Sequence, residues 1–254
     1  MLLANRSVGN PNRPFLLLGF SSRICPPFKR HRGYTRGVEA HFDFWGVWAT
    51  VQGDAHTVSQ LIRDFRYFHR PSPSMPSKVR LKIRAELPSE RPPLRSIRLN
   101  QRCAVYREDS HTLWHEYDAG RSFVRWKNES AEVFCPQATR RHELSYLYLL
   151  SRIGEHWDQI GIHRLHAAAL EVAGVAVLIL LPSGGGKSTL TVAALEAGLA
   201  RLISDDMPLV DSQGWIRPFP SRIGWKNDSL PKSVDRADAR PFFRKEWGKK
   251  TLID

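Results

Sequence analysis

Val175-Ala-Val-Leu-Ile-Leu-Leu181 followed by Pro182-Ser-Gly-Gly-Gly-Lys-Ser-Thr189 is the stretch on which the reading of this chain turns. Seven uninterrupted apolar residues fit a buried strand. Helical spacing of Leu190, Ala193, Ala194 and Leu195 comes next, then Gly198, then a short apolar Leu202-Ile203 running into Ser204-Asp205-Asp206. Strand, glycine loop, helix and strand are predicted in that order. Glycine accepts positive φ and lets the backbone approach a bound group closely. The N–H groups of Gly184, Gly185, Gly186 and Lys187 can therefore curl around an anion. The new helix aims the positive end of its dipole at the same point. Lys187 would reach β- and γ-phosphates and the Ser188 hydroxyl would sit on Mg2+, with Ser183 and Thr189 flanking the cradle. The pattern G-x-x-x-x-G-K-[ST] is met except at its first glycine, where Leu181 stands with Pro182 after it.

Such loops work with an acid at the end of a nearby strand that holds the metal directly or through water. Asp205 and Asp206 supply two, at the end of the strand after the loop helix. Adjacent carboxylates can divide the work, one holding Mg2+ and the other accepting the proton of an attacking hydroxyl. A turn or helix-capping pair is the plainer reading of the same two letters.

The rest of the chain is globular in composition: 254 residues, 42% hydrophobic, with eight Trp and twelve Phe. The formal charge of +13 is unevenly spread, because residues 1–38 hold seven Lys/Arg and no Asp/Glu. The pI thus describes a basic leader more than the body, and it argues little for nucleic acid as a partner. Cys25, Cys103 and Cys135 are far apart and form no C-x-x-C pair, which suits a reducing cytoplasm and argues against a zinc cluster. No apolar run reaches membrane-spanning length.

Residues 1–38 read as a disordered leader, with a targeting or nucleic-acid-binding arm as the alternative. A small α/β domain is predicted for 39–138. Phe42 to Val51 reads as one strand. Asp54 can cap a helix striped by Val58, Leu61, Ile62, Phe65 and Phe68, ended by Pro71, Pro73 and Pro76. Lys78 to Ala85 alternates strictly, with basic residues on one face. That face is either a solvated outer surface or a docking surface for an acidic partner. Short strands are expected at Cys103–Tyr106, Thr112–Tyr117, Ser122–Trp126 and Ala131–Cys135, with a hairpin turn at Asp118-Ala-Gly120. Residues 139–254 form the second predicted domain, opening with a helix over 139–160 and a strand over Leu165–Val172. His163 and His166 lie three apart on an extended segment, so they face opposite ways rather than pairing on a metal. Beyond Asp206 a turn at Asp211-Ser-Gln-Gly214 leads into a weakly patterned basic tail, where Arg222, Lys226, Lys232, Lys249 and Lys250 are solvated or phosphate-contacting candidates.

Leu165-His166, Ser183-Gly-Gly-Gly-Lys-Ser188 and Gly198…Arg201-Leu-Ile-Ser-Asp-Asp206, taken together, resemble the HPr kinase/phosphorylase family. More closely, they look like its relatives in peptide-modification gene clusters, some of which phosphorylate a serine of a ribosomally made precursor. The resemblance is good over 160–226 and looser over 40–254. It implies a P-loop kinase core of the HPr kinase/phosphoenolpyruvate carboxykinase type, preceded by a small α/β domain. It also implies ATP and Mg2+ as cofactors, with catalytic roles for His166, Lys187, Asp205 and Asp206. Asp205 would be the base, while Ser188 and Asp206 would hold the metal. The expected partner is a peptide or protein with an acceptor serine. The N-terminal part does not match the regulatory domain of true HPr kinases, so HPr itself is not the expected substrate. A small-molecule phosphotransferase and a non-catalytic nucleotide-binding module are the competing readings.

Overall fold

The alternating stretch Val79–Arg84 becomes an interior strand of a nine-stranded mixed sheet in a computed structural model of the protein. The structure describes residues 37–93, 95–99, 103–219, 222–225, 230–231, 234–235, 239–244 and 248–253. The expected leader therefore lies almost wholly outside the described residues, as do Lys226 and Lys232. By compactness the described chain divides into a larger unit, residues 36–165 with 209–222, and a smaller one, 166–208 with 223–254. The sequence division falls at 138/139, whereas this one falls after Leu165.

In the larger unit β1 (Val38–Phe44) and β2 (Val47–Gly53) form a hairpin. This corrects the single strand expected over Phe42–Val51. Trp45 and Gly46 both take positive φ, 55° and 88°, the paired left-handed turn that matches strand twist. Asp54 caps α1 (Ala55–Asp64) by accepting from the Thr57 N–H at 3.0 Å, as expected, and the helix buries Val58 and Leu61. After β3 (His69–Arg70) and β4 (Val79–Arg84), the meander β5 (Ser96–Leu99), β6 (Ala104–Arg107), β7 (Thr112–Tyr117), β8 (Ser122–Lys127) and β9 (Ser130–Phe134) completes the order β3-β1-β2-β4-β9-β8-β7-β6-β5. β4 runs parallel to both its neighbours, β2 and β9. Asp118, Ala119 and Gly120 turn β7 into β8 with positive φ throughout.

One face of this sheet carries α1 and the 22-residue α2 (Ala138–Gln159). Phe42, Phe44, Val51, Val79, Leu81, Val133, Leu61, Leu149, Ile153 and Trp157 are buried between them, each contributing about 1.5–3 kcal/mol through removal from water. Arg141 on α2 is buried. It donates to Asp54 at 3.0 Å and to the carbonyls of Cys135 and Pro136 at 2.7 and 3.0 Å, so the buried charge has both a counter-ion and backbone acceptors. The returning segment brings β14 (Leu209–Asp211) and β15 (Ile216–Arg217) into a three-stranded sheet with β10 (Ile162–Arg164). Its Phe219 packs on Phe68 and Trp157, with ring centroids 5.2 and 5.5 Å away.

The smaller unit has two three-stranded sheets. In one, β11 (Ala168–Val172) lies between β12 (Val175–Ile179) and β13 (Arg201–Ser204), antiparallel to both. The strand expected over Leu165–Val172 is thus corrected to β10 and β11, separated by residues 165–167. The other sheet, β16 (Ile223–Trp225), β18 (Gly248–Ile253) and β17 (Ala239–Arg244), occupies part of the stretch read as a weakly patterned tail. Val192 and Leu195 of α3 (Lys187–Glu196) pack against Ile223, Trp225 and Ile253 of that sheet. Among the described residues no helix is long and apolar enough to cross a membrane.

Candidate functional site

β12 delivers the chain into the loop Pro182–Gly186, which turns tightly because Gly185 N–H donates to the Pro182 carbonyl at 2.9 Å. Gly184 and Gly186 hold φ of 79° and 88°, with nothing within 4 Å of where a Cβ would stand. The glycines here are required by backbone conformation rather than by crowding. Gly185 is the opposite case: a Cβ would meet the Pro182 carbonyl oxygen at 3.0 Å. Gly186 occupies the cap position of α3, where no side chain accepts from the first turn and no acid sits within it. The first N–H groups of α3 therefore face the loop without a side-chain cap, the condition that makes a helix start an anion site.

Lys187, the first residue of α3, is buried, and its Nζ donates to the Leu181 carbonyl at 2.8 Å. The same ammonium lies 3.1 Å from His166 Nε2. An ammonium has only protons to give, so Nε2 accepts and the imidazole carries its proton on Nδ1. That Nδ1 lies 2.9 Å from Asp206 Oδ1. Asp206, His166 and Lys187 thus form one chain of contacts, from an exposed carboxylate to a buried ammonium. His163 is separate: exposed on β10, it meets Asp158 at 3.3 Å.

The two acids point into different environments. Asp205 is 1% exposed and accepts from Ser188 Oγ at 3.1 Å. Burial raises its pKa, and the neighbouring Asp206 adds to the rise. The Ser188 hydroxyl, the Gly224 N–H and Lys187 oppose it, but the net direction is upward. Asp206 holds φ of 71°, so the backbone reverses at the strand end. The reversal lets Asp205 reach Ser188 while Asp206 reaches His166. Met207 N–H donates to the Asp205 carbonyl at 3.0 Å and fixes the turn.

All five residues singled out by the motif combination therefore make direct contacts inside one compact unit, as two sets that are adjacent along the backbone, Asp206–His166–Lys187 and Ser188–Asp205. Ser183, Gly184, Gly185 and Thr189 are exposed along the same loop and first turn. Arg222 is placed elsewhere, paired with buried Asp64 of the larger unit. Sequence reading missed the Leu181 carbonyl and the Gly224 N–H; both are backbone groups, and no side-chain pattern announces them. The loop helix also differs in its buried face. Thr191 and Val192 are buried with Lys187, whereas Leu190 stands half in water. Among the described residues the buried Thr191 hydroxyl has no hydrogen-bond partner.

Among the described residues no group of three or more His, Cys, Asp or Glu is placed to hold a metal ion. A hydroxyl beside a single carboxylate, Ser188 with Asp205, fits instead the sparse protein ligation of Mg2+, which keeps waters and phosphate oxygens in its shell. Compared with known proteins, the chain matches no family model, no curated protein and no solved structure.

Proposed function

We propose that this protein is a Mg·ATP-dependent kinase that transfers the γ-phosphoryl group to a serine hydroxyl of a peptide or protein. Its smaller unit would be a P-loop kinase core of the HPr kinase-like type, working in the cytoplasm. The observation that carries the reading is the contact network itself. A glycine loop with left-handed Gly184 and Gly186 opens an uncapped helix, and Lys187, Ser188, His166 and both acids converge on it.

In this reading the loop N–H groups and Lys187 neutralise the phosphates. Bound Mg2+ supplies charge neutralisation at the phosphate oxygens. The serine oxygen forms the new bond to γ-phosphorus, the bond from that phosphorus to the bridging oxygen breaks, and ADP leaves with the electron pair. The hydroxyl proton passes to a carboxylate.

Which acid takes it is open to two orders. Sequence resemblance makes Asp205 the base and Asp206 the metal ligand. The Ser188–Asp205 hydrogen bond favours the reverse, because loop hydroxyl and strand-end acid share the metal in P-loop enzymes. Asp206, exposed and touching His166, would then be the base.

The test is calorimetric titration with Mg·ATP, followed by transfer of labelled γ-phosphate to serine peptides. Folded Lys187→Ala should lose about 2–5 kcal/mol of ATP binding. Unchanged affinity would overturn the loop assignment. Binding without transfer to any acceptor would leave a nucleotide-binding module.

A further inference from the structure

The face of the nine-stranded sheet opposite α1 and α2 carries a shallow depression of about 430 Å³ lined by Thr50, Gln52, Arg80, Lys82, Lys127 and Ser130, among others. Register sets these side chains in rows across the strands. Thr50, Arg80, Ser130 and Lys127 form one row, and Gln52, Lys82, Glu132 and Arg125 the next. Most charges here are satisfied locally. Glu132 accepts from Arg84 at 3.2 Å, Arg125 pairs with Glu108 at 2.8 Å, and Glu39 lies 3.3 Å from His41. Among the described residues Arg80, Lys82 and Lys127 make no ion pair, although Lys127 lies near enough to influence Asp109.

This arrangement is uneconomical for a face that only meets water. Cations at neighbouring positions repel, and sheets gain from opposite charges set across from one another. Lys82 does face Glu132, but Arg80 faces only Thr50 and Ser130, and Lys127 faces Ser130 and Thr112. Lysines on sheets often guard an edge against aggregation, but β4 is an interior strand, paired on both sides. What flanks Arg80 is neutral and hydrogen-bonding, Thr50 and Ser130. Beside Arg80 an entering anion therefore displaces water from neutral neighbours only.

We propose that this face docks an extended acidic polypeptide segment. Arg80 and Lys82 stand two residues apart, about 6.8 Å along the strand, and Lys127 two strands away, about 9.5 Å across. An extended peptide presents every second side chain to one side at the same repeat, so acids at alternate positions meet Arg80 and Lys82 together. A nucleic acid fits less well. The nearby Trp114 is buried, with Arg125 over its ring at 5.4 Å, and offers no face for a base to stack on.

The proposal is tested by fluorescence anisotropy of the full chain with a labelled peptide of alternating Glu and Ala, and with a single-stranded oligothymidylate. Arg80→Glu/Lys82→Glu should weaken peptide binding at least tenfold, and added salt should weaken it in the wild type. Because the leader is also basic, only the loss in this variant counts as support. Both side chains are exposed, so the fold should survive. If it does not, Arg80→Gln/Lys82→Gln is judged by the same criterion. Absent binding, or unchanged affinity in the folded variant, would overturn the proposal. So would equal binding of the oligothymidylate with the same loss, which would mark a general polyanion face. Lys187→Ala should bind the peptide as the wild type does, which separates this surface from the nucleotide site.

Discussion

The two units differ in how much apolar core accompanies their buried charges. In the larger one, buried Asp64 and Arg141 accompany a large apolar and aromatic core that includes Phe42, Phe44, Trp114, Phe123 and Trp157, and Arg141 donates through Nε and Nη1 to Asp54, Cys135 and Pro136. The smaller one buries Lys187, Thr191, Ser204 and Asp205 while leaving Val175, Leu180, Leu190 and Leu199 exposed. Burying an acid and an ammonium costs free energy that packing Leu190 or Leu199 would have supplied. The contrast separates a unit with a large apolar and aromatic core from one in which an acid and an ammonium are buried while several leucines stay exposed.

That contrast can be broken at four places, from the largest effect down. Asp206→Asn should lower phosphotransfer by about 10²–10⁴ while Mg·ATP still binds. Asn tolerates the left-handed backbone at this position, so the fold is kept. If Asp205→Asn shows that pattern instead, and Asp206→Asn only raises the Mg2+ requirement, the order from sequence resemblance stands. Full activity in both would reduce the pair to a structural turn.

Trp157→Ala should cost about 3–5 kcal/mol of stability in urea unfolding, since the ring is fully buried and its Nε1 donates to the Phe44 carbonyl at 2.8 Å. A loss below about 1 kcal/mol would mean that the larger unit is not the stable partner.

Gly186→Ala isolates backbone conformation, because no atom obstructs the added methyl. Left-handed strain should cost about 1–2 kcal/mol, read as a lower melting temperature and weaker ATP binding. Wild-type values in both would show that the positive φ is dispensable.

Asp205→Asn should go the other way and stabilise the free protein by about 0.5–2 kcal/mol at neutral pH. The sign follows from the raised pKa of Asp205. A group whose pKa rises on folding favours the fold when protonated, and that contribution is lost as pH climbs through the folded value. The advantage of Asn should therefore fade as pH falls towards the ordinary carboxylate range. A melting temperature below wild type at every pH would contradict it.

Local signals were legible in the sequence where one residue type has one physical use. Asp54 capping α1, the Asp118–Gly120 turn, the alternation of β4 and the glycine loop were all found at or within a residue or two of their places. The Trp45–Gly46 turn was not, because a bulky residue at positive φ hides inside an otherwise strand-like run. Only Gly46 hinted at it. Sheet order was also unreadable: β4 finds β2 on one side and β9, some fifty residues later, on the other. Most of the sheet β16-β18-β17 was missed, apart from a strand start at Leu252-Ile253, because its strands are short or rich in charge and proline, as in Ala239-Arg-Pro-Phe-Phe-Arg244, and only its long-range pairing gives them shape. At the site, residue identities came from the motif. The wiring among them, Ser188 to Asp205 and Asp206 through His166 to Lys187, needed the fold.

The larger unit is assembled from chain lying on both sides of the glycine-loop segment. Arg164 on β10 and Leu209 on β14 are paired directly, so the chain leaves and rejoins that unit within about one strand spacing, near 5 Å. The order of synthesis then matters. Phe219, which fills the space against Phe68 and Trp157, leaves the ribosome only after residues 166–208. The larger unit cannot close its core until the whole of that segment has been made. The nascent chain must therefore carry an unfinished apolar surface through the time in which the glycine loop, its helix and the two acids are translated.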